Sequence, residues 1–350
     1  MNCRFVGNYN RNMLGRDSQG LTVIKKTKKQ GEREILEYVY GSRALFEVRE
    51  GERPDFLLRL AEGDDFFGVE VTEFFLSESA ARLDHIPGYV RDLLGGGDFR
   101  HRVDRQKLEV GEIQIATERG ELKFQDVPAI VQRVPAIACC ADMVAEVIDG
   151  KNKNLASAFA SLRHANLIVC DRTGLMAHRK PGDFYSLYYT EALKKALFGS
   201  QFREVYFVTK LSAGDVFLPL KMIAFVAQFF FFRAIAESRA ALLTVHPVRE
   251  FMTTFASYLN TVAPGQVSIR LTGNQTEVLY GDVGLLLDAE LKLQLRMYSD
   301  APWTIGGGVT QVPDVFSRPE ISSSMCKYQR ERKFSTGVAF RVSSALYAEE

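Results

Sequence analysis

The spacing of apolar residues in the first quarter of the chain predicts one helix followed by three short strands. Apolar residues at 30–41 recur at intervals of three and four, which is the spacing of one helix face, and Gly41 marks a stop. Strand-like segments follow at 44–50, 55–60 and 66–75, and turn-forming residues separate them. The pattern therefore predicts an α-β-β-β unit.

A second series of helices and strands is predicted after residue 140. It contains a short, fully apolar strand, which is typical of a sheet covered by helices on both faces. With the first unit it has the order α-β-β-β-α-β-α-β, which indicates an α/β fold with a mixed sheet flanked by helices. The predicted elements are helix 141–165, strand 166–170, helix 186–199, strand 203–210 and an apolar helix at 219–239.

The pattern also predicts how the chain is divided into domains. A chain of 350 residues has room for about two domains. We expect an α/β domain at 25–240, with an insertion at about 76–135 that contains a hairpin turning near 118–121. Short strands and turns dominate after residue 240, so 241–350 is predicted to be a smaller β-rich or α+β accessory region.

Charge and cysteine usage restrict the classes of function. The formal net charge is +1, so a nucleic-acid partner would have to be held by local basic patches rather than by an overall positive field. The five cysteines are odd in number and lack a C-x-x-C spacing, which favours a reducing compartment over a disulfide framework or a zinc site. No signal peptide is apparent at the N-terminus, and the most apolar run is too short for a bilayer, so we expect a cytoplasmic protein without a membrane partner.

Two acidic residues on neighbouring predicted strands form the first candidate site. Side chains alternate along a strand, so Glu70 and Thr72 project from the same face, and Asp55 can point the same way from the preceding strand. Two carboxylates and the Val71 carbonyl suit a hard cation such as Mg²⁺, or alternatively Mn²⁺. The plain alternative is an ordinary hairpin in which Asp55 starts a strand and Glu70 is solvated.

Pro54-Asp55 and the run GVEVTE at 68–73, after a predicted helix and strand, resemble the PD-(D/E)-x-K nuclease superfamily. This resemblance covers roughly 30–210. It implies a restriction-endonuclease-like fold and Mg²⁺-dependent hydrolysis of DNA, and by analogy a role in bacterial antiviral defence or DNA processing. It assigns Asp55 and Glu70 as the site acids and Glu34 of the first helix as an assisting acid, with Glu37 as the alternate.

The superfamily pattern places a lysine where this chain has Thr72, and the helix at 141–165 contains a candidate replacement. Its apolar stripe lacks position i+7, which is occupied by Lys151. Burying an unpaired ammonium is costly, so we predict that Lys151 pairs with the sheet carboxylates, unless its side chain extends to solvent. Lys153 is about 200° away around the helix and faces water, and Asn154 is a candidate polar neighbour. The stripe consists of Val144, Ile148, Leu155, Phe159 and Leu162.

Basic clusters at 25–33, 100–107 and 327–333 are candidates for contacts with a DNA backbone. Aromatic residues are not interleaved with them, so no surface for stacking single strands is predicted. We expect 241–350 to bind substrate or a partner subunit, or to form a homo-oligomer. The alternative function, motivated by Thr72, is a catalytically inactive nucleic-acid-binding or scaffold subunit. The candidate substrate-binding residues are Lys25, Lys26, Lys28, Lys29, Lys153 and Asn154.

Overall fold

A computed structural model of the chain provides the fold. Its described residues fall into two compact units, one made from Met1–Gly31 and Phe74–Cys140 and the other from Glu32–Glu73 and Ala141–Glu350. The structure describes residues 3–5, 27–41, 46–59, 62, 65–119, 121–133, 139–154, 162, 164–176, 190–211, 214–238, 248–272, 275–281, 283–287, 293–297 and 309–310.

Helices and strands alternate along most of the described chain. In chain order the elements are β1 (Cys3–Phe5), α1 (Lys28–Tyr40), β2 (Glu47–Glu50), β3 (Phe56–Arg59), β4 (Phe67–Phe74), α2 (Glu78–His85), α3 (Tyr89–Leu94), α4 (Arg102–Lys107), β5 (Leu108–Arg119), β6 (Glu121–Arg133), α5 (Cys140–Lys153), β7 (Ala165–Asp171), α6 (Glu191–Gly199), β8 (Val205–Leu211), β9 (Gly214–Pro219), α7 (Leu220–Ser238), α8 (Val248–Val262), β10 (Val267–Thr272), β11 (Gln275–Tyr280), β12 (Val283–Leu287), β13 (Leu293–Met297) and β14 (Val309–Thr310).

A six-stranded sheet with the order β2-β3-β4-β7-β8-β9 forms the centre of the larger unit. The β2–β3, β3–β4 and β8–β9 pairs are antiparallel, whereas β7 and β8 are parallel. The prediction of a mixed sheet flanked by helices in an α/β fold is confirmed. The predicted α-β-β-β order of α1 to β4 is also observed.

The two faces of this sheet differ in chemistry because side chains alternate along each strand. On one face, apolar residues of β3, β4, β7 and β8 form a core with Leu36 of α1. The alternate residues of β3 and β4 project from the opposite face, which therefore includes Glu70 and Thr72. The apolar set is Leu36, Phe56, Leu58, Phe67, Val69, Val71, Ile168 and Val208.

Two predicted element boundaries differ from the structure. The helix expected at 141–165 ends at Lys153, where the Asn154 N–H donates to the Lys151 carbonyl at 3.1 Å, a three-residue bond that tightens the last turn. Leu162 lies in a bend, and Leu155 and Phe159 lie outside the described residues. The strand β9 was missed because its apolar residues run directly into α7, and a short apolar run does not distinguish strand from helix.

The region after residue 240 contains both a helix and a sheet, which agrees with the α+β alternative. The helix α8 was not predicted; it packs against β10, β11 and β12 of a sheet ordered β13-β12-β11-β10-β14. It also packs against α7, a largely buried helix that contacts β8 and β9. No helix among the described residues is long and apolar enough to cross a membrane.

The smaller unit contains the predicted hairpin. Strands β5 and β6 pair from Leu108 to Arg119, and β1 adds to the other edge of β6. Three short helices, α2 to α4, were not predicted. Asp104 joins them, because its buried carboxylate accepts hydrogen bonds from Arg82 and Tyr89.

A buried acid–base pair holds the start of α7. Glu204 accepts the backbone N–H groups of Lys221 and Met222 at 2.7 and 3.1 Å, which satisfies donors that the first helical turn leaves unpaired. The Lys221 ammonium donates to the carbonyls of Phe202 and Ser200. Burial raises the pKa of Glu204 to about 7 and lowers the pKa of Lys221 to about 8. Both side chains are engaged in hydrogen bonds that hold the backbone, so their role is structural.

Replacement of Glu204 by glutamine tests this cap. One side-chain oxygen becomes an NH₂ group that faces a backbone donor, so we expect the free energy of unfolding to fall by about 1–3 kcal/mol. Urea denaturation at pH 8 measures the change. Glu191→Gln, in the exposed first turn of α6, is the control and should change stability by less than about 0.5 kcal/mol. If the two substitutions lowered the free energy of unfolding equally, Glu204 would not be stabilising the start of α7.

Candidate functional site

Asp55 and Glu70 lie opposite each other at the end of the β3–β4 pair. The register pairs Phe56 with Val69, so continuing it by one residue places Asp55 opposite Glu70, and opposite residues share a face. The Val71 N–H donates to Asp55 Oδ2 at 2.9 Å. Asp55 is thus held against β4 by a backbone donor adjacent to Glu70.

A tight turn delivers Asp55 to this position. The Gly51 N–H donates to the Asp55 carbonyl at 2.9 Å, which closes the segment that carries Pro54. A Cβ atom at residue 51 would lie 2.7 Å from the Pro54 carbonyl oxygen. Since such a contact requires the backbone to shift, only glycine fits here without moving Asp55.

Lys151 reaches Glu70 from α5. The Lys151 Nζ atom lies 2.7 Å from Glu70 Oε1, and the two side chains are 31% and 15% exposed. Val144 and Ile148 are buried on the same stripe of the helix. The structure therefore brings together two residues separated by 81 positions in the chain, as the gap in the apolar stripe predicts.

The end of α5 is fixed by the residue next to Lys151. The side-chain oxygen Oδ1 of Asn152 accepts the Gln201 N–H at 2.9 Å, and the Asn152 side-chain NH₂ group donates to the Gly199 carbonyl at 3.5 Å. These bonds attach the end of α5 to the last residue of α6 and to the segment that follows it. They fix the rotation of the last turn, in which Lys151 meets Glu70 and Lys153 is exposed.

The other predicted residues are placed differently. Asn154 is exposed and its amide donates to the Gly150 carbonyl at 3.4 Å, so its described contact is with its own helix. Glu34 lies on the exposed side of α1, about 200° around the axis from Leu36. Glu32, one turn before Leu36, is the buried acid of that helix and was missed. Its position one turn from Leu36 on the apolar stripe was the available signal.

The predicted basic residues are only partly described. Lys25 and Lys26 lie outside the described residues. Lys28 and Lys29 are in the first turn of α1 and belong to the compact unit that does not contain Asp55. Lys153 is exposed on α5.

The donor chemistry at Asp55 and Glu70 suits a hard divalent cation. Both side chains offer carboxylate oxygens. A backbone carbonyl is also available from Val71, the residue whose N–H donates to the Asp55 carboxylate. Among the described residues no three or more His, Cys, Asp or Glu side chains form a metal-binding group. Mg²⁺ needs only one or two protein carboxylates and takes its remaining ligands from water and phosphate, so two acids are sufficient for it.

Comparisons of the chain with protein-family models, with curated proteins and with solved structures found no match. We therefore infer a function for this chain from the geometry of the site.

Substitution of Gly51 by alanine tests the turn that positions Asp55. The added Cβ forces Pro54 away, so we expect a loss of stability of about 1–3 kcal/mol, measured by urea denaturation. Gly150→Ala is the matched control, because nothing lies within 4 Å of a Cβ there and alanine is the better helix former. It should leave stability unchanged or raise it by up to about 1 kcal/mol. A Gly51→Ala protein as stable as the Gly150→Ala protein would show that the turn is not constrained.

Proposed function

We propose that this chain is a metal-dependent nuclease of the restriction-endonuclease-like class that hydrolyses phosphodiester bonds in DNA. The observation that carries the proposal is the 2.7 Å ion pair between Lys151 and Glu70, on the sheet face that Asp55 shares. Two acids and one ammonium, from three separate elements, are the groups that this chemistry needs. The helix and strand order of the sheet also supports the proposal, and a role in bacterial defence or DNA processing follows by analogy.

Asp55 and Glu70 would hold Mg²⁺ or Mn²⁺, with the Val71 carbonyl as a third ligand. A bound divalent ion lowers the pKa of a coordinated water and offsets the charge that develops on the phosphate. The Val71 N–H bond to Asp55 Oδ2 fixes that carboxylate before any ligand arrives. Fixed donors are valuable because they need no reorganisation during the reaction.

Lys151 would supply the cation that the superfamily pattern places at residue 72. Its ammonium is positioned by Glu70 and remains partly exposed, so it can donate to a non-bridging phosphate oxygen or orient the attacking water. Pairing with Glu70 also offsets the cost of removing an ammonium from water. Asn152 acts as a positioning residue for Lys151 because it fixes the helix end.

A second candidate function is a nucleic-acid-binding or scaffold subunit that has lost turnover. It is favoured by Thr72, because β4 has a neutral residue where the superfamily pattern has a lysine. It is also favoured by the engagement of Lys151 with Glu70, since an ion pair can be structural. Under this alternative the chain binds DNA without cleaving it.

A cleavage assay on purified protein tests the nuclease proposal. We expect the wild type to cut labelled single-stranded and duplex DNA with Mg²⁺ or Mn²⁺, and EDTA to stop the reaction. Asp55→Asn and Glu70→Gln should each lower the rate at least about 100-fold, because each removes a charged ligand of the cation.

Asp142→Asn, an exposed acid on α5, is the matched control and should retain the wild-type rate. The nuclease proposal is rejected if the wild type and Asp55→Asn behave alike with both metals. DNA binding without any cleavage by the wild type would support the inactive subunit instead.

A further inference from the structure

Two arginines and two phenylalanines form a cluster near the sheet edge, which we call the Arg-Phe cluster: Phe46, Arg49, Arg59 and Phe66. The Arg49 guanidinium carbon lies 4.2 Å from the centroid of the Phe66 ring. The Arg59 guanidinium carbon lies 5.1 Å from the ring centroids of both Phe46 and Phe66. Phe46 is 53% exposed.

The arginines of this cluster lie on the same sheet face as the candidate site. Arg49 is opposite Leu57 and Arg59 is opposite Glu47 in the β2–β3 register. Arg59 is four residues from Asp55 along β3, and even spacing on a strand keeps both on one face. Four residues of strand span about 13 Å. A bound DNA strand would therefore need only a few nucleotides to reach from the candidate metal ligands to the two guanidinium groups.

The charge of the Arg-Phe cluster is only partly neutralised. Glu47 accepts hydrogen bonds from both Arg49 and Arg59, so one carboxylate serves two guanidinium groups. Those contacts lower the pKa of Glu47, which keeps it ionised. In addition, the Arg59 Nε–H is buried and has no hydrogen-bond partner among the described residues. The cluster thus retains net positive charge and an unsatisfied donor.

These properties match one kind of ligand. Guanidinium groups bind phosphate oxygens in a planar, bidentate way, and exposed aromatic rings stack on unpaired bases. Bases in a duplex are already stacked on one another, so they are not available to Phe46. A single-stranded segment offers both phosphates and free base faces to the same surface.

We propose that the Arg-Phe cluster binds a single-stranded segment of the DNA substrate beside the cleavage site. The inference depends on the proposed nuclease function for its role in catalysis, but binding itself can be measured without turnover. Phe46 would stack on a base, and Arg49 and Arg59 would contact phosphates. Displacement of Glu47 by phosphate would release the guanidinium groups for these contacts.

Fluorescence anisotropy in EDTA tests the proposal with the full chain, a labelled single-stranded oligonucleotide and a blunt duplex of the same sequence. Phe46→Ala should weaken single-strand binding about 5- to 150-fold, because one base loses its stacking partner, and should change duplex binding less than about twofold. Phe46→Tyr keeps an aromatic ring at this position and should bind the single strand as tightly as the wild type. Tyr38→Ala, an exposed aromatic of α1 outside the cluster, should have no effect.

Salt dependence separates stacking from charge. Arg49→Gln should weaken single-strand binding and reduce the slope of log affinity against log salt by about 0.7, as expected for one lost phosphate contact. Phe46→Ala should leave that slope unchanged.

The proposal is overturned if Phe46→Ala binds the single strand as tightly as the wild type, or if Tyr38→Ala weakens binding equally. Binding in EDTA that depends on Phe46 supports the cluster even where the cleavage assay fails. Metal-dependent cleavage together with binding that is insensitive to Phe46 would reject the cluster and leave the nuclease proposal intact.

Discussion

The ion pair between Lys151 and Glu70 is the constraint on which the candidate site depends. An ammonium on an otherwise apolar helix stripe must meet an anion if it is not to remain unpaired in a poorly solvated position. Glu70 provides that anion on β4, and the attachment of Asn152 to the segment after α6 holds the helix end in place. The acid on this sheet face therefore accounts for the lysine on α5, and the lysine accounts for the acid.

Stability alone gives a weak reason for this pair. A partly exposed ion pair contributes only about 0–1 kcal/mol, because solvent screens the attraction and ordering two long side chains costs entropy. An apolar residue at position 151 would continue the stripe of Val144 and Ile148 at lower cost. The presence of a lysine at this position instead is the reason why we propose a chemical role for Lys151.

Backbone contacts position Asp55, the smaller of the two acids in the site. Gly51 closes the turn before β3, and the Val71 N–H fixes the carboxylate of Asp55. The first contact belongs to the turn between β2 and β3, and the second belongs to the pairing of β3 with β4. The metal-binding half of the proposed site thus depends on short-range structure, and the lysine depends on a long-range contact.

Much of this arrangement was accessible from sequence because it follows from simple periodicities. Alternation placed Asp55 and Glu70 on one face, and the interrupted helical stripe singled out Lys151. The helix end at Lys153 was not predicted, since the apolar pattern continued beyond it. Glu32 was overlooked in favour of Glu34.

The Arg-Phe cluster could not be found from local patterns because its members come from segments up to 20 positions apart that meet only through strand pairing. The aromatic residues that were absent from the basic clusters in sequence are supplied by neighbouring strands. The strand β9 was missed for a related reason, because its identity is decided by pairing with β8 rather than by its own composition. The helix α8 was overlooked although Met252, Phe255 and Leu259 recur at helical spacing and are buried, which was the available signal.

The most direct test of the account is to move the cation back to the strand. Thr72 lies on the same face of β4 as Glu70, two residues away, so a lysine there can approach the same region. We expect Lys151→Met to lower the metal-dependent cleavage rate at least about 100-fold, and Thr72→Lys added to Lys151→Met to recover at least about tenfold of that loss. Cleavage by Lys151→Met at the wild-type rate would contradict the account.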